Sequence, residues 1–363
     1  MPPDRPSTVL HYVGYDVDRG GILAVIRALA AEHRFGCVLG VNPVFEAGRS
    51  RALPLLRLPA IAGEHIGVGS LWRAYRVARD ARTWLRADPT RVFHGHSRAG
   101  LLVALRLRAR GETRVAATVH CLGRQRWFYR RAARTLAGRI FWLSPAMKAY
   151  YGVDTPGEAD CLPPCIPRAG WREGPSARRD GVFQIGCIGS LVPVKQWELV
   201  PAALVLVSRD LPLRVVHAGG EDGTAASAAY AARLRTLASS PAVGGRFELR
   251  GEVTDVPGLL DTLDGVLISG AREAFSVAAL EAGAAGVPCL AADGPGNRAL
   301  IEQARLGWTF AADSASALAA RLSELVTSGE LRAWRRDDHA LEAFAAPAVA
   351  ARYEAVYRRL VSA

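Results

Sequence analysis

The chain has 363 residues, half of them hydrophobic and 22% charged, and carries a formal net charge of +12. That length is a prior for two domains, each with its own core, and no apolar run approaches the roughly 20 residues needed to cross a bilayer. The opening Met-Pro-Pro-Asp-Arg-Pro-Ser-Thr lacks the apolar core of a signal peptide, so a cytoplasmic protein is expected. In chain order, apolar strand-like runs at 8–13, 35–40, 92–96, 115–120 and 140–143 alternate with amphipathic helical patterns at 21–33, 71–87, 99–110 and 126–137. Pro and Gly then cluster, and about 163–181 reads as a linker. A second alternation runs through 183–188, 197–207, 213–218, 225–238, 247–250, 256–263, 265–269, 274–285 and 288–291, and a last amphipathic helix covers 347–361.

This alternation predicts an α/β chain of two doubly wound parallel-sheet domains. The expected domains are 1–165 and 182–346, with a C-terminal helix 347–363 packing back on the first. Neither domain opens with the G-x-G-x-x-G spacing of a dinucleotide fold, and no Walker A run occurs. The six cysteines show no spacing for a metal site, and reduced structural thiols are the expected reading.

The charge is uneven. Residues 1–170 hold 26 Lys and Arg against 12 acids, and the remainder 20 against 22. Such asymmetry points to an anionic partner. Arg124-Gln-Arg-Trp-Phe-Tyr-Arg-Arg-Ala-Ala-Arg134 sets basic residues among Trp127, Phe128 and Tyr129. That suits an anionic membrane surface, or an Arg-rich solvated face, better than nucleic acid.

The most informative stretch is Glu273-Ala-Phe-Ser-Val-Ala-Ala-Leu-Glu281, which follows a buried strand. Its two acids are eight positions apart and are expected to share one face of a helix. The amides of Phe275, Ser276 and Val277 would then meet an anion at the start of that helix.

Several further pieces take their place in order around this pair. They are Gly20-Gly21, Val92-Phe-His-Gly-His-Ser97, Thr118-Val-His120, Ile188-Gly-Ser-Leu-Val-Pro-Val-Lys195, His217-Ala-Gly-Gly-Glu-Asp222, Leu249-Arg250-Gly251-Glu-Val253 and Gly286-Val-Pro-Cys-Leu-Ala-Ala-Asp-Gly-Pro-Gly-Asn-Arg298. Together they resemble the retaining glycosyltransferases of family 4 through nearly the whole chain. The resemblance implies a GT-B fold, in which two Rossmann-like domains face a cleft, the first taking the acceptor and the second a nucleoside-diphosphate sugar. It implies catalytic roles for Glu273, His120 and Lys195, the lysine neutralising the departing diphosphate. It also implies donor contacts from Glu281 (on the ribose), Phe275, Ser276, Val277, Gly20, Gly21, Ser190, Arg272, Arg250 and Gly251, and an acceptor-side place for His96. A histidine ending a buried strand is equally often a packing residue, and both readings stay open for His120; His94 reads as structural.

The sequence departs from the family pattern at Ser190, where an Arg is usual, and Arg272 is the expected substitute. Pro295 replaces a Gly in a loop that often meets the sugar, Ser276 replaces a common Gly, and Pro163-Pro164-Cys165 stands for the usual Pro-Asn-Gly between domains. The implied activity is retaining sugar transfer from a nucleoside-diphosphate sugar, UDP favoured, to a saccharide or lipid-linked acceptor in surface polysaccharide or lipopolysaccharide synthesis. Neither metal nor cofactor is expected. Peripheral contact with an anionic membrane is expected, and nucleic acid is not. The alternatives are a soluble natural-product acceptor, a GT-B sugar-nucleotide epimerase and a non-catalytic partner subunit.

Overall fold

The structure is a computed structural model that describes residues 8–32, 34–61, 68–153, 160–172 and 181–362. The chain divides into two compact units. The first comprises Met1–Cys165 with Ala345–Ala363, and the second Ile166–Phe344.

The first unit contains β1 (Thr8–Tyr12), α1 (Gly21–Glu32), β2 (Gly36–Val41), β3 (Leu55–Arg57), α2 (Val68–Arg86), β4 (Val92–Gly95), α3 (Arg98–Arg108), β5 (Val115–Val119), α4 (Arg126–Thr135), β6 (Ile140–Trp142) and α5 (Pro145–Tyr151). Its six strands are parallel in the order β3-β2-β1-β4-β5-β6. The central strands β4 and β5 are buried along their whole length, as strands covered on both faces by crossover helices must be. Serines mark helix starts: Ser97 accepts from the Gly100 amide at 3.0 Å, and Ser144 caps α5 just before Pro145.

The second unit contains β7 (Phe183–Ile188), α6 (Leu199–Leu206), β8 (Leu213–Ala218), α7 (Ala225–Ala238), β9 (Phe247–Leu249), α8 (Val256–Leu260), β10 (Gly265–Ile268), α9 (Val277–Ala284), β11 (Cys289–Ala292), α10 (Pro295–Ala304), β12 (Gly307–Phe310), α11 (Ala315–Thr327), α12 (Glu330–Ala333) and α13 (Asp338–Glu342). Its order, β12-β11-β10-β7-β8-β9, repeats the first unit's connectivity. In each sheet the chain order reverses at one point, between β1 and β4 and between β7 and β10. Open α/β sheets bind ligands at the carboxyl ends of the strands flanking such a reversal.

The last helix, α14 (Ala346–Ser362), belongs to the first unit and packs on α1 and β4. Tyr353 and Tyr357 on it are fully buried. The Tyr357 hydroxyl bonds His94 Nδ1 at 2.9 Å, and Glu354 accepts from the Arg34 amide at 2.8 Å.

Several sequence expectations need correction. Helix α9 begins at Val277, not at 274, because Ser276 is its cap and bonds the Ala279 amide at 3.3 Å. Glu273 therefore lies in the loop before the helix, and the two acids do not share it. The start of the expected linker is not a solvated tether: residues 163–166 are buried, while 167–169 are exposed. Residues 173–180 of that stretch, and His33 of the expected first helix, lie outside the described residues. Pro295 is not in a loop but opens α10, where its missing N–H costs nothing.

Tyr357→Phe keeps the ring in place and leaves His94 Nδ1 buried without its partner. We expect it to lower unfolding free energy by about 1–3 kcal/mol, read as a shift of the urea midpoint for the first unit, with the fold otherwise unchanged.

Candidate active site

The second unit's reversal point gathers the expected donor residues. Gly189 follows β7, and the chain then makes a tight turn over Pro193–Lys195. Gly189 donates to the Ala218 carbonyl at 3.0 Å, and Gly219 donates to the Gly251 carbonyl at 2.7 Å, so the loops after β7, β8 and β9 are laced together. The fit is backbone to backbone: a Cβ on Gly219 would overlap the Gly189 carbonyl oxygen. Beneath this lacing His217 is fully buried against the edge of Trp197, and burial pushes its pKa down to about 4.

The Lys195 turn is fastened to the loop after β10. Ser269 Oγ donates to the Lys195 carbonyl at 2.7 Å, and Gln196 Oε1 accepts from the Ala271 amide at 3.3 Å. At Gly270 a Cβ would come within 2.6 Å of the Val194 carbonyl oxygen, so only glycine lets the two loops meet. The same loop carries Glu273, and Lys195 Nζ and the Glu273 carboxylate form an ion pair. Both side chains are largely shielded from solvent.

Glu273 is braced from its other side. Side chains at Gly294 and Gly296 would overlap the carbonyl oxygens of Ala271, Glu273 and Ala274. Buried Asn297 donates to the Gly270 carbonyl at 3.1 Å and to the Ala292 carbonyl at 2.8 Å. Phe275 turns its ring into the unit against Phe344, so only its backbone is available to a ligand. Ser276 uses its hydroxyl as the helix cap, and Val277 begins the first turn. Glu281 lies on α9, half-buried.

The remaining expected residues are placed as follows. Ser190 is exposed, and its carbonyl accepts from Trp197 Nε1 at 3.0 Å. Arg272 is exposed and makes no ion pair among the described residues. Arg250 is engaged by both carboxylate oxygens of Glu248, at 3.1 and 3.2 Å. Gly251 adopts a left-handed φ of 71°.

In the first unit, Gly20 has φ 94° and Gly21 opens α1. A cavity of about 350 Å³ stands at the carboxyl ends of β4 and β5, lined among others by Tyr15, Ile22, His96, Arg98, His120 and Tyr129. Arg98 is the one formally charged residue in that lining, and its guanidinium donates to the Tyr129 hydroxyl at 3.2 Å. Cys121, which also lines the cavity, is exposed rather than packed as the sequence suggests for an apolar run. All six cysteines are free.

Behind the cavity stand stacked histidines. Strand register puts His11 opposite His94, and the His94 and His96 rings stack at 4.2 Å between centroids. His94 spends both nitrogens, on Tyr357 and, at 2.8 Å, on Thr118. His96 bonds His11 Nδ1 through Nε2 at 2.9 Å and His120 Nε2 through Nδ1 at 3.1 Å. Burial holds His94 and His120 near pKa 3 and drives His96 well below its ordinary value. A neutral His96 has one N–H, so it donates to one neighbour and accepts from the other. The proton on His120 is thus tied to the proton on His11, two rings away. His11, His94 and His96 could be considered as metal ligands by proximity. Yet their rings are stacked and nitrogens of each are committed to hydrogen bonds, which is not an arrangement of lone pairs converging on an ion.

Residues 173–337 match the family model described as glycosyl transferases group 1. HepE of Anabaena, solved with UDP and glucose, is similar in structure at TM-score 0.69 with 15% identity, over 98% of each chain. A sucrose-phosphate synthase of Thermosynechococcus elongatus is similar at TM-score 0.77 with 17% identity, over 98% of this chain and 99% of its own. The lipopolysaccharide outer core galactosyltransferase WaaB is similar at TM-score 0.68 with 14% identity, over 97% and 99%. No curated protein matches the chain in sequence. The structural likenesses establish the fold class as GT-B, two Rossmann-like domains each built on a parallel six-stranded sheet.

Sequence reasoning missed Arg98, Tyr15 and Tyr129 in the cavity and the braces Gln196, Ser269 and Asn297. Arg98 directly follows the His-Gly-His-Ser motif, and Asn297 lies within the quoted Gly286–Arg298 segment without having been given a role.

The buried histidines give a pH signature. His94, His96 and His217 are neutral when folded and regain an ordinary pKa near 6.5 on unfolding, so the unfolded state binds more protons below that pH. Stability is then full above about pH 6.5 and falls with acidification. We expect about 1 kcal/mol lost per histidine between pH 7 and 5.5, seen as a falling Tm in a pH-stepped melt; a flat Tm over that window would contradict neutral burial.

Proposed function

We propose that the protein is a retaining glycosyltransferase using a nucleoside-diphosphate sugar, with UDP the favoured nucleotide. The observation that carries this is the Lys195–Glu273 pair at the second sheet's reversal point, beside the start of α9. It is supported by the glycosyl transferases group 1 match over 173–337 and by the UDP and UDP-glucose complexes of HepE.

In this reading the diphosphate lies at the amino end of α9, where first-turn amides and the positive end of the helix favour an anion. Lys195 turns from Glu273 to the phosphates and stabilises the leaving group as the bond from the sugar's anomeric carbon to phosphate oxygen breaks. Glu273 is released to accept from sugar hydroxyls, and Glu281 takes the ribose. The acceptor oxygen bonds the anomeric carbon on the face the diphosphate leaves, and its proton passes to the departing phosphate. Arg272, exposed and without an ion pair among the described residues, supplies the cation that Ser190 lacks. The first unit's cavity takes the acceptor, a saccharide or lipid-linked saccharide of surface polysaccharide or lipopolysaccharide synthesis. The proposed location is the cytoplasm, at the inner face of the membrane. Among the described residues no helix is long and apolar enough to cross that membrane.

Thermal stabilisation by UDP, GDP, ADP and dTDP tests the donor assignment. At about 100 times its dissociation constant the correct nucleotide adds about 2.7 kcal/mol to stability. We expect UDP to raise Tm, Glu281→Ala to abolish the shift, and Arg272→Ala to lower turnover of the matching sugar about 100-fold. No shift with any of the four would refute the donor site.

A further inference from the structure

The geometry points to a second working surface on the first unit: the outer faces of α2 and α4 form a docking surface for an anionic lipid bilayer. It deepens the proposed membrane-face location, on which it rests, and is independent of the transfer chemistry.

Helix α2 is amphipathic in an unusual sense. Ala74, Val77, Ala78, Ala81 and Leu85 face the unit, as expected. On the opposite side its first turns expose Leu71, Trp72 and Tyr75, with Trp72 at 61% relative exposure. Arg73, Arg76 and Arg79 are exposed among them. The Arg76 guanidinium lies 5.1 Å from the centre of the Trp72 ring, and Arg110 from α3's end lies 4.2 Å from that of Tyr75. Helix α4 repeats the combination. It buries Phe128, Tyr129 and Ala132 and exposes Trp127 at 62%, between exposed arginines.

Among the described residues the surface is salt-bridged on α2 but not around α4: Arg79 pairs with Asp80 at 2.8 Å. At the far end of α2, Arg82 and Arg86 converge on Glu112 at 2.8 and 2.9 Å. In contrast, Arg124, Arg126, Arg130, Arg131 and Arg134 make no ion pair among the described residues. Unpaired arginines interspersed with half-exposed tryptophans are complementary to a phosphate-bearing interface. Arginine binds phosphate in a fork, and indole rings settle at headgroup depth. Exposed Leu71 gives a base nothing to stack on or pair with, which favours a bilayer over nucleic acid.

Topology adds the orientation. In a parallel sheet the crossover helices run against the strands, so α2, α3 and α4 all start at the edge where the strands end. Trp72 and Trp127, near those starts, thus share an edge with the cavity holding Arg98 and His120. A bilayer on this face brings that cavity to headgroup level.

Vesicle flotation of the full chain tests this without any enzymatic assay. We expect binding to phosphatidylcholine vesicles containing phosphatidylglycerol at low ionic strength, none to pure phosphatidylcholine, and release by salt. Trp72→Ser with Trp127→Ser should weaken binding about tenfold or more. Arg130→Ser with Arg131→Ser should weaken it about 30-fold. All four positions are exposed, so circular dichroism and Tm should match the parent. Absence of flotation, or equal flotation of the parent and both double variants, would overturn the proposal. Tighter binding to a poly(U) oligonucleotide than to the anionic vesicles would reassign the face to nucleic acid and equally overturn it. Nucleotide-induced stabilisation is scored separately, so a failed donor assignment and a failed docking surface remain distinguishable.

Discussion

The ion pair between Lys195 and Glu273 is the interaction on which the second unit's site depends. A partly exposed pair of this kind contributes little to stability, because desolvation offsets most of the attraction. What surrounds it is far more elaborate than stability requires. Gly270 lets the two loops touch, Ser269 and Gln196 tie them together, and Gly294, Gly296 and Asn297 brace the acid from behind. These constraints fix a cation and an anion side by side at the point where a doubly wound sheet offers a ligand crevice. In the proposed reading the arrangement suits exchange, an incoming diphosphate competing for the lysine and freeing the carboxylate for a neutral, hydroxylated group.

The first unit has the same strand order and the opposite electrostatics. Its reversal point is lined by neutral imidazoles whose protons are conserved along a hydrogen-bonded row, and a single arginine supplies the charge. Burial keeps His94, His96 and His120 uncharged at neutral pH. The helix α14, far away in sequence, closes the row by placing Tyr357 on His94. The fold thus builds a cationic-anionic site on one sheet and a neutral, hydrogen-bonding one on the other from the same connectivity.

Much of this was legible in the sequence, and the rest was hidden for identifiable reasons. Strand and helix alternation up to residue 291 read largely correctly because parallel strands are continuous apolar runs, and the helix at Ala225–Ala238 was placed to the residue, whereas β12, α11, α12 and α13 were not read. The start of α9 was misplaced because Ala274 and Phe275 look helical, whereas Ser276 caps the helix and the buried Phe275 ring holds the preceding chain in a loop. Strand β3 is three residues on a sheet edge, too short to show a period. Helix α10 was not read, because the resemblance put Pro295 in a loop, although proline is also at home in a first helical turn. The histidine row could not be seen at all, since it follows from His11 and His94 standing opposite each other across two strands. One signal in the composition was strong: of 46 basic residues only Lys148 and Lys195 are lysines. Lys148 is buried on Asp160, which leaves Lys195 as the one compact ammonium at a candidate site in a chain otherwise built with arginine.

The central claim is that Lys195 serves the diphosphate and Glu273 the sugar, with each otherwise held by the other in an ion pair. Calorimetric titration of UDP into Lys195→Met and Glu273→Gln tests it most directly. The account predicts that the lysine variant binds UDP at least about tenfold more weakly, while the glutamate variant binds it as tightly as the parent or more so, having lost the competitor for the cation. Parent-like UDP affinity in Lys195→Met, or a loss in Glu273→Gln as large as in Lys195→Met, would contradict it.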